Sequence, residues 1–266
     1  MESMQRVLKG AARAVLAAFT VVAVGAATAA AEEFSEAQKA EINAMIEQYV
    51  RENPGFIRNY LLQNPEILLD VSNLLRAKQA EQQRLAREEA LNAHRDRIER
   101  HPMTPVTGNP DGDVTVVEFF DYNCPYCKRV LAQMRELEKE DPNLRLVWKE
   151  FPILGPVSTF AARVAMAADR QGKYMEFHNA AMGGPRLVSE EQVLKIAAGV
   201  GLDMEQLRKD MADPEIEQYL NETIELANAL GITGTPGFII GNEIISGAID
   251  KDQMRKVIQV TRQNGS

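Results

Sequence analysis

The chain has 266 residues and a formal net charge of −8, with 45% hydrophobic residues and only two cysteines. So acidic a chain repels nucleic-acid phosphates and anionic membrane surfaces, and neither is expected as a partner. Two cysteines cannot form the framework of bridges that staples small secreted domains, so a bond between them is read as chemistry and not as scaffolding.

The first residues read as an address and not as part of the fold. Arg6, Lys9 and Arg13 precede an Ala-rich apolar run from Ala14 to Ala27, and Ala29-Ala30-Ala31 offers a small-residue cleavage site before Glu32. Residues 1–31 are therefore expected to be a cleaved secretory signal. The rival, a membrane anchor, needs roughly 20 apolar residues, more than this run supplies. Removal of Arg6, Lys9 and Arg13 along with Glu2 leaves the remainder still more acidic. The expected destination is an oxidising compartment, most simply a bacterial periplasm.

Residues 32–100 contain Pro54, Gly55 and Pro65 as their only helix breakers. Ile42, Met45, Ile46, Tyr49 and Val50 recur at helical spacing, and Asn53-Pro54 ends that helix. Phe56, Ile57, Tyr60, Leu61 and Leu62 make a short second helix before Asn64-Pro65. A third carries Leu68, Leu69, Val71, Leu74 and Leu75 and continues to about Arg100. Stripes this thin make a poor core by themselves. They pack either on the rest of the same chain or against their equivalents in another subunit. The second reading is favoured, with Ile42, Met45, Ile46, Tyr49, Phe56, Leu61, Leu68, Val71 and Leu75 as the oligomer interface. Between Arg76 and Arg100 the large apolar residues are Leu85, Leu91 and Ile98, without a sustained heptad, so this stretch is expected to be a solvated spacer helix. The segment from His101 to Asp113 holds three prolines and two glycines and marks the boundary to a second domain, residues 101–266.

That domain opens with Val114–Phe120, an apolar run expected as a buried strand. An amphipathic helix follows over Pro125–Glu140, then a second strand over Leu144–Glu150. Strand, helix and strand at this spacing predict a right-handed βαβ unit with parallel strands. Helical material follows across about 157–230. Phe238–Ile240 and Ile244–Ile245 form a hairpin about Gly241-Asn242, and a last helix covers Ile249 to Arg262. Both cysteines lie in Cys124-Pro125-Tyr126-Cys127, where the first strand gives way to the helix. Free N–H groups and the positive dipole end at a helix start favour a thiolate at Cys124, and Pro125 suits the first helical position. Cys127 falls one turn further on. A disulfide between them closes a ring too small to constrain the unfolded chain, which again argues for chemistry. Glu118, six residues before Cys124, is expected to face inward behind the dithiol. Burial would raise its pKa and suit it to accept a proton from Cys127; the alternative is an ordinary strand-end acid in solvent. Adding His94, His101 or His178 to the cysteines gives no cluster at zinc-site spacing, so neither a metal nor another cofactor is expected.

Cys-Pro-Tyr-Cys, Glu118 ahead of it and Thr235-Pro236 before the hairpin resemble the redox site of the thioredoxin fold, and the helical insertion is similar to that of the DsbA class. Phe151-Pro-Ile-Leu-Gly-Pro-Val-Ser158, with Phe56-Ile-Arg-Asn-Tyr-Leu-Leu-Gln-Asn-Pro-Glu66, resembles the ScsC-type subgroup. The resemblance implies an α/β thioredoxin fold with a DsbA-like helical insertion, preceded by an all-helical oligomerisation region. It implies a periplasmic thiol-disulfide oxidoreductase acting on exported cysteine-containing clients, chiefly as an oligomeric disulfide isomerase or reductase, and served by a membrane redox partner, a reductase for isomerase work or an oxidase for DsbA-like work. It also implies a homo-oligomer, trimer favoured over dimer. Cys124 and Cys127 would be catalytic, with Pro125 and Tyr126 tuning Cys124. Thr235–Pro236 would be a cis peptide beside the dithiol, leaving the Thr235 backbone to pair with a client. Alternatives are a dithiol oxidase that introduces disulfides, and a copper-stress accessory protein using the thiols as Cu(I) ligands. A glutaredoxin-like reading of the same tetrapeptide conflicts with export and with the insertion.

Overall fold

Ser35 caps the first helix, α1 (Glu36–Glu52): its hydroxyl accepts from the Gln38 N–H, and the Gln38 side chain accepts from the Ser35 N–H. This computed structural model describes residues 34–265, and the expected signal, residues 1–31, lies outside the described residues. Pro54 and Pro65 start α2 (Pro54–Gln63) and α3 (Pro65–Glu99). A proline cannot donate to the preceding turn, so each one closes a helix and opens the next. Asn53 and Asn64 complete the breaks, donating from Nδ2 to the carbonyls of Tyr49 at 2.9 Å and Tyr60 at 2.8 Å.

Backbone contacts divide the chain at Arg76/Ala77, inside α3. In the first unit, α1 and α2 bury no residue. Met45, Ile46, Tyr49, Phe56, Leu68, Val71 and Leu75 each keep half or more of their surface in water, while Ile42 and Leu61 are half-buried.

In the second unit, β1 (Val106–Gly108), β3 (Leu144–Glu150), β2 (Val114–Phe120), β4 (Gly237–Ile240) and β5 (Glu243–Ser246) lie side by side in that order. β2 and β3 are parallel and the other neighbours antiparallel. The expected βαβ unit is present, with α4 (Pro125–Glu140) as its crossover. After β3 come α5 (Pro156–Arg170), α6 (Tyr174–Gly183), α7 (Glu190–Gly199), α8 (Met204–Met211) and α9 (Pro214–Ala229), and α10 (Lys251–Gln263) follows β5. Gly241, at φ 59°, supplies the left-handed residue of the two-residue β4–β5 turn.

Both faces of the sheet are covered, which is why β2 reads as an unbroken apolar run. Val116 and Phe120 pack with Val130 and Met134 of α4 and the helices of the insertion. Val117 and Phe119 face the other way, with Leu226 and Leu230. Leu91 and Ile98, both without exposed surface, join this second cluster and correct the expectation of a wholly solvated spacer. The end of α3 is fastened by cations from β3: Lys149 Nζ donates to the Arg97 carbonyl and Arg145 Nη2 to that of Glu99, each at 2.7 Å. Both bonds satisfy carbonyls that a helix end leaves free. Strand β1 lies in the Pro- and Gly-rich segment that marks the domain boundary. It is held by β3 pairing and by the Trp148 indole, which donates to Thr107 Oγ1 at 3.1 Å. No described helix is long and apolar enough to cross a membrane.

Candidate active site

β2 ends at Phe120, and a short turn delivers Cys124 as the N-cap of α4 with Pro125 in the first turn. The sheet therefore presents Cys124 beyond the carboxyl end of a parallel strand, where open α/β sheets place their ligands. The turn is fixed by Asp121, which is 1% exposed. Its carboxylate accepts from the Asn123 N–H at 2.7 Å, the Ser158 hydroxyl at 2.7 Å and the Leu154 N–H at 2.9 Å. Nothing in the sequence marks Asp121 or Ser158 beyond an acid next to a strand end, because their partners lie far along the chain.

Cys124 and Cys127 are unbridged thiols and both are buried. The Cys127 N–H donates to Cys124 Sγ at 3.4 Å. Cys124 Sγ in turn donates to the Thr235 carbonyl at 3.3 Å, so the Thr235–Pro236 loop abuts the dithiol, and that peptide is cis. The Cys124 pKa falls to about 5. Its largest cause is the hydrogen bond from the Cys127 thiol; burial opposes, and bonds from the Thr235 side chain and the N–H groups of Cys127 and Tyr126 assist. The helix-start N–H groups thus contribute, but less than the second thiol. Cys127 moves the opposite way: burial first, then its bond to Cys124 and the charge of Glu118, hold it protonated.

Glu118 lies in the same β2 alternation as Val116 and Phe120, on the face that packs against α4, and is 1% exposed. Burial raises its pKa well above the carboxylate range, helped by the charge of Cys124. Oε1 has no hydrogen-bond partner. Pro125 and Tyr126 are exposed beside Cys124, with the Arg129 guanidinium 4.6 Å from the centre of the Tyr126 ring. Pro236 is buried and Thr235 half-buried. The structure thus brings Cys124, Cys127, Glu118, Pro125, Tyr126, Thr235 and Pro236 to one place.

The histidines are engaged elsewhere. His178 is buried against Phe120, Trp148 and Tyr174, its Nδ1 is 3.3 Å from the Tyr122 hydroxyl, and burial lowers its pKa to about 3. His101 lies tilted against the Tyr219 ring with its Nε2 3.4 Å from Glu222, and His94 is half-buried on α3. Among the described residues no group of three or more His, Cys, Asp or Glu could hold a metal. A groove of about 710 Å³ at the other end of the sheet, lined by Gly112, Thr115, Gly241 and Val260 among others, contains neither cysteine.

Comparison with known proteins places this geometry. Residues 115–259 match the DSBA-like thioredoxin domain, and residues 55–82 match the copper resistance protein ScsC N-terminal domain. A thioredoxin-like oxidoreductase from Silicibacter pomeroyi is 48% identical, with a TM-score of 0.62 over 64% of this chain and 98% of that one. The thiol-disulfide exchange protein alpha-DsbA2 from Wolbachia pipientis is 30% identical, with a TM-score of 0.63 over 67% and 97%. Among curated relatives, a Na(+)/H(+) antiporter NhaA 1 from Salinispora arenicola is 31% identical over 137 residues, which cover 51% of this chain but only 21% of the antiporter. The domain match spans more than half of the sequence and contains the whole dithiol region, so the chain belongs to the DSBA-like thioredoxin domain family.

Proposed function

We propose that this protein is a periplasmic thiol-disulfide oxidoreductase of exported cysteine-containing clients, working chiefly as an oligomeric disulfide isomerase or reductase. The observation that carries the chemistry is the opposition within one dithiol: Cys124 is shifted to about 5 and Cys127 is raised. At neutral pH the reduced protein holds a thiolate at Cys124, a good nucleophile that is also a good leaving group, beside a protonated Cys127.

In isomerase work the Cys124 thiolate attacks one sulfur of a wrong client disulfide. A mixed disulfide forms and the other client sulfur leaves as a thiolate. A client thiolate then attacks the client sulfur of the mixed bond and expels Cys124, so no net electrons move. Where the complex stalls, Cys127 passes its proton toward Glu118, attacks Cys124 Sγ and releases the client reduced, leaving Cys124–Cys127 oxidised; a membrane reductase restores the dithiol. As an oxidase the pair runs the last sequence backwards: a client thiolate attacks Cys124 in the disulfide, Cys127 leaves, and a second client thiolate resolves the bond. The Cys124–Cys127 pair serves as the redox group, with no other cofactor. Residues 1–31 direct export, residues 32–100 assemble subunits, and residues 101–266 carry the chemistry. The exposed apolar stripe supports assembly, which favours isomerisation over simple oxidation because neighbouring sites stay available to one misfolded client.

Alkylation of the reduced protein across pH tests the assignment. Cys124 is expected to be labelled first, with its midpoint near pH 5. Cys124→Ser should abolish exchange, and Cys127→Ser should accumulate mixed disulfides with clients. Faster labelling of Cys127 would reverse the roles. A Cu(I)-handling role rests on the name of the matching N-terminal domain and on the two thiols. It predicts that Cu(I) titration protects both thiols from alkylation at one equivalent or less.

A further inference from the structure

The residues flanking the dithiol also grip a loop of the helical insertion. Leu187 is held through both backbone groups: its N–H donates to Asn123 Oδ1 at 2.8 Å, and Asn123 Nδ2 donates to its carbonyl at 3.1 Å. Lys128 Nζ lies among the carbonyl oxygens of Ala181 at 2.8 Å, Met182 at 3.3 Å, Gly184 at 3.1 Å and Pro185 at 3.4 Å. Ala181 and Met182 form the last turn of α6, where free carbonyls and the negative dipole end call for a cation. Lys128 is half-buried, and burial lowers its pKa. One grip precedes Cys124 and the other follows Cys127, and between them they fix the segment 183–188. Leu187 is 1% exposed and anchors the segment inward; Val188, the next residue, is 75% exposed.

Cys124 is only 3% exposed, and its Sγ donates to the Thr235 carbonyl. A folded surface cannot bring a sulfur to so recessed an atom, whereas an extended, unfolded segment can lie along the rim. Such a segment offers an N–H to the Thr235 carbonyl and side chains to an exposed apolar tip. We propose that Asn123 and Lys128 are positioning residues that hold residues 183–188 as a fixed wall of the client site, and that Val188 on this wall meets an apolar side chain beside the client's cysteine. The wall is set before the client arrives, so binding does not have to order it. This inference rests on the thiol-disulfide exchange proposed above.

The test compares two disulfides reduced by the full-length reduced protein: cystamine, too small to reach the wall, and an unfolded peptide whose single disulfide is flanked by leucines. For Lys128→Met and Val188→Asp, the ratio of peptide to cystamine single-turnover efficiency, the maximal rate over KM for the one round the reduced dithiol supplies, is expected to fall about tenfold, carried by KM, as for loss of one apolar contact. Lys128→Arg should recover part of the ratio, since a guanidinium can also donate to these carbonyls. A proportional fall for both substrates in Lys128→Met would show that the grip supports only the fold. Val188→Asp changes a surface residue, so an unaltered peptide KM there overturns the wall whether or not Lys128→Met folds. If the unaltered protein reduces neither disulfide, it is the exchange reading that fails.

Discussion

Glu118 is the residue at which function and stability pull in opposite directions. Its carboxyl is buried, Oε1 has no partner, and its pKa stands well above the ordinary 4.5. The unfolded chain releases this proton near its ordinary pKa, whereas the folded chain keeps it to a higher pH. The stability it contributes is therefore fully present below pH 4.5 and is lost as pH rises toward the folded value. Glu118→Gln cannot ionise, so its thermal midpoint at pH 7 should exceed that of the unaltered protein, by about 2–4 °C for each kcal/mol regained. Near pH 4 the difference should close. In the proposed exchange the same change also removes the ionised carboxylate that would accept the Cys127 proton, and release of a stalled mixed disulfide should slow by about 100-fold or more. A variant that is stabilised at pH 7 yet releases clients at the ordinary rate would leave Glu118 without its catalytic role.

At the scale of elements, the site depends on how β2 is joined to α4. Asp121 accepts three hydrogen bonds that tie this turn to the start of α5 and to the segment before it. Asp121→Ala leaves two N–H groups and a hydroxyl without their acceptor and should cost about 2–4 kcal/mol, read as a lower denaturant midpoint with an unchanged m-value. An unshifted midpoint would mean that the turn holds without this carboxylate. The bounds of β2, α4 and β3 were legible in sequence because each carries a periodic apolar pattern, and Pro125 and Asp141-Pro142 punctuate it. β1 was not: three residues between prolines and glycines show no period, and β1 forms only because β3 offers a free edge. Leu91 and Ile98 looked too isolated to pack, yet they are seven apart on one helix and so fall on the same face, against the sheet. The cysteines, Glu118 and Thr235-Pro236 could be named from sequence because the dithiol and its neighbours carry a recognisable spacing. Asp121, Asn123 and Lys128 could not, because what makes them matter lies far along the chain, at Ser158, Leu187 and Ala181.

For the whole molecule the unresolved energy lies in the first unit. α1 and α2 bury nothing, and Ile46, Tyr49, Phe56, Leu68 and Val71 stand about half in water, so covering the remaining half of each would gain roughly 0.8–1.5 kcal/mol. Several such residues together can offset an association cost of about 4–15 kcal/mol, which no one of them could meet. In the proposed assembly, closed symmetry would cover the stripe on every subunit with the same surface. Charging the stripe with Ile46→Glu and Leu68→Glu should leave the Cys124 thiolate and simple exchange intact, because neither residue lies in the unit that carries the dithiol. Mass in solution should drop to that of one chain, and recovery of activity from a scrambled multi-disulfide client should fall, while oxidation of a reduced client holds or rises. Intact oligomers after both changes would remove the stripe as the interface. Single chains that still unscramble the client at the ordinary rate would break the link between assembly and isomerisation, and leave Cys124 sufficient for that work within one subunit.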